Sequence, residues 1–120
     1  MLAAAAFVFA SQANAQQRPL LGGYKEIAKT DATAKKAAIF GVGAEAKRSE
    51  KEIEFISIIK AERQSVGGTN YRMCLKVSDG GAEGQDAAEV FVKAIVNIDL
   101  KGNYKLLSWE ASDCGEDEES

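Results

Sequence analysis

The stretch Ile53–Val77, IEFISIIKAERQSVGGTNYRMCLKV, decides the architecture. Ile53, Phe55, Ile59 and Ala61 share one face of an extended chain, with Ile56 and Ile58 interrupting an otherwise charged opposite face. That period of two is the mark of a half-buried β-strand. A second alternating run follows, with Tyr71, Met73, Leu75 and Val77 on one side and Arg72, Cys74 and Lys76 on the other. Between the runs lie Gly67 and Gly68, so the two strands form a hairpin. Its tip carries Val66, an apolar side chain with no core beneath it.

Working outward, SDGGAEGQD is a Gly- and Asp-rich turn, and AEVFVKAIVNID is a third strand enriched in β-branched residues. Lys101-Gly102-Asn103 supplies a second hairpin turn, and YKLLSWEAS returns as a fourth strand. Upstream, Tyr24 to Ile27 makes a short strand. TDATAKKAAIFGVGAEAKR then predicts a helix capped by Thr30 or Asp31, with Ala37, Phe40, Ala44 and Ala38, Val42 along one broad face. Gly41 and Gly43 each cost up to about 1 kcal/mol in a helix relative to alanine. Close packing against a curved sheet is the preferred reason, and solvent exposure is the alternative. The predicted fold class is α+β, one long helix wrapped by a four- to five-stranded antiparallel sheet.

The chain has 120 residues, enough for a single modest core. Its formal net charge is −3 and its lysines are interspersed with glutamates, which excludes the basic stripe of a nucleic-acid binder. There is no His and no C-x-x-C, so neither a thiol nucleophile with its usual base nor a zinc site is expected. We expect no catalytic residues, no metal and no cofactor.

Residues 1–15, MLAAAAFVFASQANA, are an apolar run ending in Ala13-Asn14-Ala15, the small-x-small pattern cut by signal peptidase. The run is shorter than the roughly 20 residues needed to span a bilayer; a cleaved secretory signal ending at Ala15, and hence export, is expected, the alternative being an apolar N-terminal arm. Residues 16–112 are then the folded domain, and 113–120 an acidic tail expected to be disordered. In an oxidising space Cys74 and Cys114 would tend to pair. A strand intervenes between them, however, placing in-sheet positions about 10 Å apart, whereas a bridge needs Cα atoms within about 7 Å. Only a tail folding back over the sheet closes that gap, and the sequence leaves both alternatives open.

Three features together resemble the cystatins, inhibitors of papain-like cysteine proteases. They are Leu20-Leu21-Gly22-Gly23 ahead of the first strand, the helix core AAIFGV (residues 37–42), similar to the A-x-F-A-V pattern of plant-type members, and the long strand running into a Q-x-V-x-G hairpin at Gln64, Val66 and Gly68. The resemblance implies a wedge built from an N-terminal trunk and two hairpin loops. On it we expect a protease-binding edge formed by Leu21, Gly22 and Gly23, by Gln64, Ser65, Val66, Gly67 and Gly68, and by Leu100, Lys101 and Gly102. Val66 would be buried in the partner's cleft, with Gly67 and Gly68 letting backbone approach its walls.

Family members often carry Pro-Trp in the second loop, but strand lengths of about nine to ten residues return the chain to the edge near Leu100, not Trp109. Trp109 is therefore expected in the sheet or core. AKRSEKE (residues 46–52) lacks the Asn by which some members bind legumain, and that activity is not carried over. The expected partner is a papain-like cysteine protease, and the expected state a secreted monomer, with strand exchange through the first hairpin as a route to dimers. The competing reading is a non-inhibitory binding or scaffold module on the same fold.

Overall fold

The computed structural model describes residues 23–80 and 86–114. The expected leader, Leu21, Gly22, most of the Gly-rich turn and the acidic tail from Gly115 lie outside these residues. In chain order the elements are β1 (Lys25–Ile27), α1 (Ala32–Ser49), β2 (Ile53–Ser65), β3 (Thr69–Asp79), β4 (Ala88–Ile98) and β5 (Tyr104–Ala111). The strands form one antiparallel sheet in the order β1-β2-β3-β4-β5, and α1 packs across one face of it. The predicted fold class is thus observed, with all five strands in one sheet. No helix among the described residues is long and apolar enough to cross a membrane.

Helix α1 starts where Asp31 accepts a hydrogen bond from the Ala34 N–H at 2.9 Å, satisfying one of the donors left open by the first turn. It stops at Glu50, which adopts the left-handed conformation (φ 58°) while the Lys51 N–H closes back onto the Ala46 carbonyl at 3.1 Å. Lys47 and Arg48 in the last turn complement the negative end of the helix dipole. The buried face is made of Ala34, Ala37, Ala38, Gly41 and Val42, a stripe small enough for the helix axis to lie close to the sheet. A Cβ built on Gly41 would sit 3.2 Å from Val96 Cγ2, so this glycine serves packing as expected. Gly43 does not: it is exposed, and a Cβ there meets nothing within 4 Å. Glu45 is buried at the same interface, where Arg48 holds it with two hydrogen bonds of 2.9 and 2.6 Å.

Strand β3 is the spine of the core, with Tyr71, Met73, Leu75 and Val77 all buried on the helix side as the alternation predicts. In β2 the structure departs from simple alternation. Phe55 pairs with Val77, Ile58 with Leu75 and Ala61 with Met73, because the pairing shifts between Phe55 and Ser57 and again between Ile58 and Lys60. Ile58 rather than Ile59 is therefore the core residue, at 8% exposure. Each shift inserts one extra residue and flips the phase, and bulges of this kind bend a strand, which suits a sheet wrapped round a helix. A third shift in β5 sends Leu107 outward and lets Leu106 and Trp109 both pack against the core.

Cys74 and Cys114 form a disulfide with Cα atoms 5.9 Å apart. The chain reaches it as the folded-back alternative requires. Beyond β5 the Ser112 N–H bonds the Phe91 carbonyl at 3.0 Å, the Ser112 hydroxyl accepts from the Cys114 N–H at 3.0 Å, and Cys114 is buried on the outer face of β3.

Candidate functional site at one end of the sheet

Strand register gathers the expected edge. The pairs Ser65↔Thr69 and Ile98↔Tyr104 close the two hairpins, and Thr69↔Ile98 sets the hairpins side by side. The pair Lys25↔Arg63 places Gly23 at the same end, beside the start of the first loop. Gly23, Gln64, Ser65, Val66, Gly67, Gly68, Leu100, Lys101 and Gly102 are thereby brought together, while Leu21 and Gly22 lie outside the described residues.

The first loop, residues 66–68, is held by a hydrogen bond of 3.0 Å from the Val66 N–H to the Gly68 carbonyl and turns through Gly67 at φ 94°. Val66 is 37% exposed. The second loop, residues 99–103, presents Leu100 at 85% exposure, the most exposed of the large apolar side chains described. Both apolar tips thus stand in solvent at one end of the sheet.

Gly68 has an intramolecular reason to be glycine. A Cβ there would lie 2.5 Å from the Ile98 carbonyl oxygen and 2.9 Å from Asp99 Cα, so the first loop is seated directly on the main chain that enters the second. Close approach was expected toward a partner's walls; the structure places it first between the two loops themselves. Gly67 and Gly102 have open space and are required instead by positive φ, 94° and 88°.

Asp99 organises the second loop and was missed in the sequence, although Asp at the first position of a Gly-containing turn is a known signal. Its Oδ1 accepts from the N–H groups of Lys101 (2.9 Å) and Asn103 (2.8 Å), while the Gly102 N–H bonds its carbonyl (2.9 Å). These bonds, that from Asn103 foremost, hold the Asp99 carboxyl below its ordinary range. The Gln64 side chain lies on the outer face of the sheet, where it accepts from Asn70 Nδ2 at 3.4 Å.

The start of the trunk is anchored by residues that the sequence reading did not single out. Tyr24, next to Gly23, lies under the Arg72 guanidinium at 3.9 Å from the ring centre, a cation–π contact. Arg72 is itself held by Glu62 at 2.8 Å. That hydrogen bond depresses the Glu62 carboxyl and raises Arg72. Trp109 sits opposite Ala94, on the side of the sheet that packs against the core and well along β5 from the second loop, as the strand arithmetic predicts.

Among the described residues no group of three or more His, Cys, Asp or Glu could hold a metal. No protein-family model matches the chain. Over 93 residues it is 36% identical to a protein named cysteine proteinase inhibitor 3 from Oryza sativa subsp. japonica, a match covering 72% of this chain and 50% of the rice protein. The chain therefore spans about half the length of that relative. It is 30% identical over 79 residues to cysteine proteinase inhibitor 1 of Actinidia chinensis var. chinensis, covering 65% of this chain and 68% of that one. The fold matches a salivary cystatin of the soft tick Ornithodoros moubata with a TM-score of 0.61 at 16% identity, over 76% of this chain and 97% of the tick protein. With the Q-x-V-x-G hairpin in register and the single helix laid across a five-stranded sheet, these likenesses lead to one conclusion: the chain belongs to the cystatin family.

Proposed function

We propose that the protein inhibits papain-like cysteine proteases by occluding their active-site cleft with the edge formed by the trunk and the two loops. The observation that carries the reading is the pairing of Val66 and Leu100, two solvent-facing apolar side chains on adjacent loops whose backbones touch through Gly68. The relatives from rice and Actinidia bear names that say cysteine proteinase inhibitor, which supports the same reading.

The mechanism needs no chemistry on the inhibitor. Val66 and Leu100 enter apolar parts of the cleft, each contributing about 1.5–3 kcal/mol on full burial. Leu21 takes an apolar subsite, and Gly22 and Gly23 turn the trunk away from the catalytic thiol, so no peptide bond is presented for attack. Gln64, Ser65, Gly67, Lys101 and Gly102 complete the contact. Burial dominates and few charges lie on the edge, so affinity should change little with salt.

Export is part of the proposal. It is supported by the apolar run at residues 1–15 and by a disulfide, which suits an oxidising compartment.

The test is a titration of papain with the protein beside a Val66→Asp, Leu100→Asp variant, whose exposed positions leave folding intact. Inhibition by the parent, weakened at least a hundredfold in the variant, is expected. A folded parent that leaves papain active at micromolar concentration would overturn the reading in favour of a non-inhibitory module.

A further inference from the structure

Three amide side chains lie in one row on the outer face of the sheet, immediately behind the two loops. Strand register pairs Gln64 with Asn70 and Asn70 with Asn97. Asn97 Nδ2 donates to Asn70 Oδ1 at 2.8 Å, and Asn70 Nδ2 donates to Gln64 Oε1 at 3.4 Å. The row runs from β2 through β3 to β4 and stands one residue from each hairpin closure, since Ser65, Thr69 and Ile98 come next along the three strands.

Asparagine is depleted in strands because its short amide competes with the backbone ladder and packs poorly on a pleated surface. Two of them in adjacent strands, bonded to each other and half-buried, therefore call for a reason. We propose that Asn70 and Asn97 are positioning residues for the docking edge. The amide row fixes β2, which enters the first loop, against β4, which enters the second. The proposal rests on the inhibitor reading above and deepens it.

What the row adds is direction. Dispersion contacts tolerate sliding, whereas a chain of N–H···O bonds fixes one strand's offset and twist against the next. Beyond the backbone ladder through Thr69↔Ile98, two features then hold the loops relative to each other: Gly68 packed on the Ile98 carbonyl at their base, and the amide row one step behind. Fixing the loops before binding removes an ordering cost that complex formation would otherwise carry. An uncharged row also does so without dependence on pH or salt.

The experiment is a double-mutant cycle. Gln64→Ala and Asn97→Ala are measured singly and together for papain inhibition, in the parent and in an Asn70→Ala background. Each bond is worth about 3- to 10-fold, so Asn97→Ala is expected to weaken inhibition by that factor, mainly through faster dissociation. Its effect should be non-additive with Gln64→Ala, and the coupling should vanish once Asn70 is alanine. Asn97→Leu, which is close in shape but neither donates nor accepts, should behave like alanine.

Amide exchange at Val66 and Gly102 in the free protein is the second readout, and in Asn70→Ala it should rise at these two loop amides by more than at core-strand amides such as that of Leu75. Additive losses, or unchanged loop exchange in Asn70→Ala, overturn the proposal. A parent that fails to inhibit while exchange rises as expected refutes the inhibitor reading and leaves the positioning role standing.

Discussion

Replacing Gly68 by alanine should cost more than its added volume suggests. The new Cβ would lie 2.5 Å from the Ile98 carbonyl oxygen, 2.9 Å from Asp99 Cα and 3.3 Å from the Asp99 carbonyl carbon. Comfortable carbon contacts begin at about 3.5 Å, so main chain must move by roughly 0.6 Å or more. None of the three atoms belongs to a rotatable side chain, and Ile98 is held by its ladder to Thr69 on one side and Tyr104 on the other. Overpacking costs about 1–3 kcal/mol, and the upper half of that range applies because no side chain can swing aside. Gly67→Ala is the control. It meets no atom, but its φ of 94° should cost about 1–2 kcal/mol as strain confined to the first loop. Urea denaturation at constant m gives the two stabilities, and amide exchange at Gly102 and Asn103 reports on the second loop. Gly68→Ala should speed exchange there and Gly67→Ala should not. A Gly68→Ala protein within about 0.5 kcal/mol of the parent, the scatter of an ordinary surface substitution, and with an undisturbed second loop would refute the claim that the loops are one unit.

Other consequences follow from particular residues. Gly43→Ala should stabilise the protein by about 0.5–1 kcal/mol, since the site is exposed and helical; Gly41→Ala, facing Val96 Cγ2 at 3.2 Å, should give no such gain in the same melts. The Glu62 carboxyl is lowered by its bond to Arg72, so that bond contributes stability above the ordinary carboxylate range and loses it as pH falls through the depressed value. Stability measured against pH should flatten there in Arg72→Met by about 1 kcal/mol, a partly exposed pair being worth no more. The Cys74–Cys114 bridge closes a span of 40 residues, so Cys74→Ser with Cys114→Ser should lower unfolding stability by about 3–4 kcal/mol by chemical denaturation.

Much of this fold was legible because two periods were. The helix declared itself through its cap and apolar spacing, and β3 through four residues alternating without fault. What alternation could not reveal was phase. In β2 two inserted residues exchange the places of Ile58 and Ile59, and a stretch with Ile56, Ile58 and Ile59 on both faces carries no mark of where a bulge falls. Gly41 and Gly43 look alike in the sequence, yet one faces Val96 and the other water, a difference set by an angle round the helix. The disulfide stayed open because its closure depends on a turn made after the last strand, by residues without periodicity. Of the edge, the loop tips were readable from their glycines and stray apolar residues. The residues bonded around them were not: Asp99 in the second loop, Asn70 and Asn97 behind both loops, and Arg72 over Tyr24 at the start of the trunk are each an ordinary polar or aromatic residue until the register sets it beside its partner.

The edge also bears on how a cystatin with no aromatic in its second loop would reach useful affinity. Trp109 is committed to the core side of β5, which leaves Leu100 as the exposed apolar side chain of that loop and Val66 as that of the first. Neither belongs to the residue types that dominate interface hot spots. Their burial together is worth only about 3–6 kcal/mol on an area basis, a sum that ordering costs of similar size would cancel if the loops moved independently. In this chain they do not have that freedom. The first loop rests on Ile98 and Asp99 through Gly68, the second is laced by the Asp99 carboxylate, and Tyr24 under Arg72 ties down the start of the trunk. Modest side chains on a rigid edge are thus a physically coherent design, and the rigidity comes from contacts within this chain rather than from any it must find in a partner.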